Sequence, residues 1–306
     1  MGDYRYLYQG LTIASQIPLD RILVHVAPAS TQRPDISVSI GAPPLDAVFT
    51  TIEDGLRMGP GIVEVTVEGV GPVTVLNGDE IRIHLLAGAE EILLQQYVLG
   101  TAFAITQMQR RRFCLHAGVA ADNAAAFAFC GESGEGKSTL MMALAQRGWN
   151  VLTDDLSLLH PLDGHYVAAG EGHHIKLWRE SAQALGISVN GYQRVSNNED
   201  KYIVTGNHPA RHSPPAPLKA VFFLESAAES APFSLEPMPS LAGFAQLRKH
   251  TYRSMLIPVL GLEREHLAFS AALSGTARLF RFIRPRTLKR LPEMADFIAR
   301  QLEQLA

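Results

Sequence analysis

The chain has 306 residues, 47% of them apolar and 19% charged, with a formal net charge of −3. That balance suits a soluble globular protein of one large or two smaller domains, and it argues against general nucleic-acid binding and against an acidic disordered chain. Cys114 and Cys130, the two cysteines, sit in apolar stretches, so a disulfide framework is not expected; with no basic-then-apolar leader and no apolar run of about 18 residues, the expectation is a cytoplasmic protein without membrane contact.

The first hundred residues read as β-rich. Val63, Val65 and Val67 alternate with polar neighbours, as do Ile81, Ile83 and Leu85, and Asn77-Gly78 is a hairpin turn signal between two such runs. From about residue 90 to 112 the period becomes helical, with Leu93, Leu94, Tyr97, Val98, Thr101, Ile105 and Met108 on one face. Arg110–Arg112 close that helix; they read as cations complementing its negative end, with anion binding as the alternative. The domain boundary is placed in this region, with a β-rich N-terminal domain over 1–100 and a second domain over 101–306.

Phe113–Ala121 and Ala124–Cys130 then read as strands, Ser138–Arg147 as a helix stopped by Gly148, and Asn150–Thr153 as a short buried strand ending in Asp154-Asp155. This strand–loop–helix–strand order is the α/β arrangement of a nucleotide site. The stretch from Asn197 to Pro217, rich in Asn, His, Pro and Ser, reads as a loop, and Leu218–Leu224 as another strand. Helices are expected near 240–259, 262–273 and 291–305.

Gly131-Glu132-Ser133-Gly134-Glu135-Gly136-Lys137-Ser138 matches G-x-x-x-x-G-K-[ST], and Thr139 continues into the helix. Glycines let successive backbone N–H groups point inward around phosphate oxygens, and the helix start adds positive potential. Lys137 would reach the β- and γ-phosphates of ATP, and the Ser138 hydroxyl would ligate Mg²⁺. Asp154 and Asp155 supply carboxylates for the metal and for an acceptor proton, and Asp155 with Ser138 is the expected metal pair. A Gly-rich turn and an acidic strand end without ligands are the bland alternatives. No guanine-reading Asn-Lys-x-Asp and no His-Arg-Asp catalytic loop occurs, which disfavours a GTPase and an ordinary protein kinase.

Leu115-His116-Ala117-Gly118, the loop Gly131–Ser138 and Thr153-Asp154-Asp155 together resemble the catalytic domain of HPr serine kinase/phosphorylase. The resemblance implies an α/β, P-loop HPr-kinase/carboxykinase-like catalytic domain behind the smaller β-rich one. It assigns Lys137 and Ser138 to phosphate and Mg²⁺, His116 to the γ-phosphate, and Asp154 and Asp155 to base and metal in either order. Tyr4–Leu11 and Ile175–Trp178 look like a divergent branch of lasso-peptide precursor kinases, which phosphorylate a C-terminal serine. The longer family signature is absent at Ala168–Lys176, which puts HPr-specific and phosphorylase activities in doubt. The expected partner is a peptide or small protein; a homo-oligomer is left open.

Weaker signals remain. Lys176 could contact phosphate or be a solvated lysine, Glu171 could assist the metal, and Lys201 could close on substrate. His173-His174 and the His208/His212 pair read as ordinary rather than metal-binding histidines. Arg248, Lys249, His250 and Arg253, then Arg278, Arg281, Arg284, Arg286, Lys289 and Arg290, could hold phosphates or an acidic peptide, or be a solvated face. The competing functions are a serine kinase, a small-metabolite kinase or carboxykinase-like enzyme, and a non-catalytic nucleotide-dependent regulator.

Overall fold

The computed structural model describes residues 4–19, 32–44, 47–122, 124–170, 174–196, 198–205 and 215–305. Glu171, His173, His208 and His212 lie outside the described residues. The chain divides into two compact units, Met1–Phe113 with Met255–Glu265, and Cys114–Ser254 with His266–Ala306.

The first unit is built on an eight-stranded sheet. Its strands are β1 (Tyr4–Tyr8), β2 (Leu11–Ser15), β3 (Ile36–Ile40), β4 (Thr50–Glu53), β5 (Leu56–Gly59), β6 (Ile62–Val67), β7 (Gly71–Leu76) and β8 (Glu80–Ile83), in the order β1-β2-β3-β8-β7-β6-β5-β4. Asn77 and Gly78 make the β7–β8 turn at φ of 49° and 76°, a conformation that Asn and Gly tolerate best. The helical stretch runs as α1 (Glu91–Tyr97), a π-helical turn (Val98–Ala102) and α2 (Phe103–Gln109), packed on β7. The first unit runs on to Phe113, and this helix packs on the N-terminal sheet. Arg110 ends the helix by donating to the Asp35 carbonyl, and Arg111 pairs with Glu265. The short α6 (Leu256–Val259) also belongs to this unit.

The second unit carries β9 (Cys114–Leu115), β10 (Ala117–Ala121), β11 (Ala126–Cys130), α3 (Lys137–Ala145), β12 (Asn150–Thr153), β13 (Ser157–Leu162), β14 (His165–Ala168), β15 (His174–Trp178), α4 (Arg179–Ala184), β16 (Lys201–Thr205), β17 (Ala216–Ala227), β18 (Ser234–Pro237), α5 (Ser240–Lys249), most of α7 (Glu263–Thr276), β19 (Arg278–Pro285) and α8 (Leu291–Leu305). Its main sheet runs β12-β10-β11-β17-β14-β13-β9, with β19 on β17 and β18 on β19, while β15 and β16 form a separate hairpin. Lys201–Thr205 lies inside the stretch expected to be loop; the Asn and Pro around it mask a β-branched run that pairs with β15.

Both faces of the sheet are covered, and side chains alternate between two cores. Phe127, Phe129, Phe222 and Leu224 pack with α3 and α8, whereas Ala126, Ala128, Cys130, Val221 and Phe223 pack with Leu247 of α5 and Leu273 of α7. Phe222 stacks between Phe129 and Phe280 at ring separations of 4.9 and 5.5 Å, locking β11, β17 and β19 in register. Such burial on both faces explains why these strands read as continuous apolar runs.

Candidate active site

Strand directions gather the chemistry at one edge. β11, β17 and β19 are parallel, β10 is antiparallel to β11, and β12 is antiparallel to β10. The carboxyl ends of β11, β12, β17 and β19 therefore share an edge with the start of β10, the side of an open α/β sheet where ligands bind. Onto it come Gly131 after β11, Asp154-Asp155 after β12, Ser226 and Arg284 at the paired ends of β17 and β19, and His116 before β10.

The loop between Cys130 and Lys137 turns through Gly134 and Gly136 at φ of 83° and 79°, left-handed conformations that cost side-chain-bearing residues about 1–2 kcal/mol. Gly136 is the residue preceding α3, so the helix opens directly from the loop. Lys137 is only 7% exposed. Its Nζ donates to the carbonyls of Gly131 at 2.8 Å and Glu132 at 3.2 Å and lies 3.0 Å from His116 Nε2. Burial lowers the Lys137 pKa, opposed by the negative charge of Asp155 and Asp154. Thr139, one residue beyond Ser138, turns inward and donates to the Ser181 hydroxyl at 3.0 Å.

The expected strand Phe113–Ala121 is broken at His116. Its N–H leaves the sheet for the His250 carbonyl, 2.7 Å away, and the break turns the imidazole toward Lys137. With Lys137 protonated, Nε2 accepts and the ring proton sits on Nδ1. Nδ1 lies 3.1 Å from Asp155 Oδ1, a close polar contact that is not aligned as a hydrogen bond. Lys176 Nζ stands 3.7 Å from the other Asp155 oxygen. Burial alone would raise the Asp155 pKa, but His116, Lys176 and Lys137 together hold it well below the usual carboxylate range.

Asp154 faces the other way. Its Oδ2 accepts the Lys176 backbone N–H at 2.9 Å, while the buried Oδ1 has no aligned hydrogen-bond partner among the described residues. Burial raises its pKa, and the Lys176 N–H and then the nearby Ser138 hydroxyl partly offset this. The turn carrying both aspartates is clamped by a Thr153–Ser157 hydroxyl contact and by Ser157 donating to the Ala117 carbonyl at 2.8 Å. No group of three or more His, Cys, Asp or Glu side chains converges among the described residues. Mg²⁺ needs no such group, since one or two carboxylates with phosphate and water suffice. Ser138 lies near the Asp154 carboxyl and lines the cleft together with Asp155, so a carboxylate and a hydroxyl of that donor set are both at hand.

Above these groups is a cleft of about 440 Å³ lined by His116, Ser133–Thr139, Asp155, Lys176, Trp178, Lys201, Arg284, Arg286, Leu288, Leu291 and Met294, among others. Gly131 and Glu132 do not line the cleft, and the exposed Glu132 pairs with Lys249 at 2.6 Å. The basic stripe divides. Arg281 pairs with Glu225 and Glu236, Arg290 with Glu293, and Arg278 donates to the Leu305 carbonyl, so only Arg284 and Arg286 of that run enter the cleft. Lys201 sits 5.7 Å over the Trp178 ring. Trp178 entered only through the resemblance at Ile175–Trp178, and Leu288, Leu291 and Met294 carried no functional signal in the sequence, because nothing local distinguishes a cleft wall from a core or surface position.

No family model and no curated protein sequence matches the chain. Among solved structures it is similar to the Hpr(Ser) kinase/phosphatase from Coxiella burnetii, with 14% identity over 62% of this chain and 96% of that one and a TM-score of 0.32.

Proposed function

We propose that the protein is an ATP-dependent serine kinase that transfers the γ-phosphoryl group of Mg·ATP to a serine hydroxyl of a small protein or ribosomal peptide. The observation that carries this reading is the convergence of the glycine loop and buried Lys137 with the His116–Asp155–Lys176 cluster in one cleft.

Phosphoryl transfer asks a protein for positioning and charge stabilisation more than for covalent chemistry. Lys137, seated by two carbonyls and by His116, turns one of its three N–H donors from these partners to the phosphates when nucleotide binds. Asp155, at the cleft surface, orients the acceptor hydroxyl and takes its proton late, as suits a weakly basic carboxylate and a loose transition state. Lys176 and His116 keep that carboxylate ionised. Mg²⁺ would neutralise charge on the phosphate oxygens, and in this reading Ser138 with Asp154, whose carboxyl lies near that hydroxyl, would hold it. The resemblance of Tyr4–Leu11 and Ile175–Trp178 to lasso-peptide precursor kinases makes the C-terminal serine of such a precursor the first acceptor to try.

The test is mass spectrometry of candidate peptides after incubation with Mg·ATP. Phosphate on a peptide serine, abolished by Lys137→Ala and by Asp155→Asn, is the expected result. Nucleotide binding with no transfer to any peptide or small protein would favour a regulator instead.

A further inference from the structure

Arg284 is a buried and incompletely paired charge in the second unit. Its side chain is 4% exposed, and its Nε and Nη2 find no hydrogen-bond partner among the described residues. The nearest carboxylate, Glu135 of the glycine loop, is 3.7 Å from Nη2, beyond hydrogen-bond range, and already accepts from the Ser226 hydroxyl at 2.7 Å. A buried guanidinium with two unused donors is costly unless an anion completes it. The cleft lies beside it, and a Cβ added at Gly136 would come within 3.7 Å of Arg284 Nη2, as one at Gly134 would come within 3.0 Å of Arg286 Nη2. The bare glycines leave both guanidinium groups facing the loop.

We infer that Arg284 is a nucleotide-binding residue that grips the α- and β-phosphates from the side of the loop opposite the aspartates, with Glu135 as its resident counter-ion until nucleotide arrives. The sheet order carries the assignment. β10 and β12 bring His116 and the aspartates to one side of β11, where the transferred phosphate must sit, and β17 and β19 bring Arg284 to the other. A polyphosphate lying along the loop then runs from Asp155 past Lys137 to Arg284. The same cleft is lined by apolar Pro285, Leu288, Leu291 and Met294, a surface suited to a nucleobase. Glu135 and phosphate compete for one guanidinium, so binding exchanges an incomplete ion pair for charge-assisted hydrogen bonds. Burial lowers the Arg284 pKa and Glu135 raises it back in part, consistent with a cation short of negative charge.

This inference rests on the nucleotide-binding reading, and calorimetric titration of the full chain with Mg·ADP and Mg·ATP separates the two. If the unaltered protein binds neither nucleotide, the underlying reading fails and the role of Arg284 falls with it. If it binds them, Arg284→Leu should weaken ADP and ATP alike, by at least about tenfold, the worth of a charge-assisted hydrogen bond to phosphate. The same variant, without nucleotide, should melt no lower than the unaltered protein, since a purely structural arginine would lose stability and this one sheds an unpaired charge. Unchanged affinity, or a loss confined to ATP, overturns the assignment. Glu135→Gln gives a check that does not depend on how Arg284→Leu folds. Releasing the competitor should tighten ADP binding by at least about threefold, and unchanged or weaker binding counts against the exchange.

Discussion

Asp154 and Asp155 are consecutive in the chain, yet their carboxyl groups are driven in opposite directions: burial pushes the pKa of Asp154 up, while His116, Lys176 and Lys137 outweigh burial and pull that of Asp155 down. Neighbouring carboxylates left alike would repel and share a proton. Here the clamped turn sends one inward beside Ser138 and leaves the other beside the His116 ring and the Lys176 ammonium. Two adjacent residues thereby take two jobs.

Asp155→Asn should therefore retain ADP binding and lose phosphoryl transfer by about 10²–10⁴-fold, the usual contribution of a positioned acid or base. Asp154→Asn should instead raise the Mg²⁺ concentration for half-maximal activity by at least about tenfold. Steady-state kinetics with Mg²⁺ titrated at saturating ATP separates these effects. Finding them exchanged between the two variants would exchange the roles.

Lys137 has three partners arranged around one tetrahedral ammonium: the Gly131 and Glu132 carbonyls and His116 Nε2. A planar guanidinium does not fit that seat. Lys137→Ala and Lys137→Arg should both cut transfer by about 10²-fold or more, with circular dichroism unchanged. Full activity in the arginine variant would mean that charge alone, not this seating, matters.

The glycine loop could be read from the sequence because its needs are local: left-handed glycines, a lysine and a hydroxyl within eight residues of one another. Asp154-Asp155 followed from it, since one short strand separates α3 from their turn. Lys176 was the harder case. Its ion pair with Asp155 depends on a hairpin, β15–β16, half of which reads as loop in composition. Arg284 and Arg286 stood out only as members of a basic run, because which arginines reach the cleft is decided by β19 pairing with β17 and β17 with β11. The break at His116 left no trace in a run of apolar neighbours; a tertiary hydrogen bond to His250 makes it.

Gly118 sets how closely α3 can lie on β10, and so where the loop ends. A Cβ there would fall 2.6 Å from Met141 Cγ and 2.8 Å from its sulfur, with Met141 fully buried. Gly118→Ala should cost about 1–3 kcal/mol of stability through overpacking and weaken nucleotide binding by tilting the helix start. Adding Met141→Ala makes room, so the double variant should be less destabilised than the sum of the two single ones. Denaturant titration of the four proteins checks this, and simple additivity would show that the close approach does not matter.

His250 and His266 should make the second unit acid-sensitive. Burial lowers both imidazole pKa values from 6.5 to about 4, with Glu132 partly opposing at His250 and Arg248 reinforcing at His266. A folded-state pKa below the unfolded one means that the folded unit binds fewer protons across this window. The stability is then complete above pH 6.5 and is lost as pH falls toward about 4. Each group is less than a tenth exposed, so the loss is on the order of 3 kcal/mol apiece. Both tryptophans, Trp149 and Trp178, lie in this unit, and their fluorescence in denaturant titrations at falling pH reports it directly. Thr251 donates its hydroxyl proton to the Leu247 carbonyl and so accepts from His266 Nε2–H at 2.7 Å. His266→Gln keeps a donor for Thr251 but cannot titrate, and should remove roughly half of the pH dependence. A slope as steep as that of the unaltered protein would clear His266 and place the acid sensitivity elsewhere.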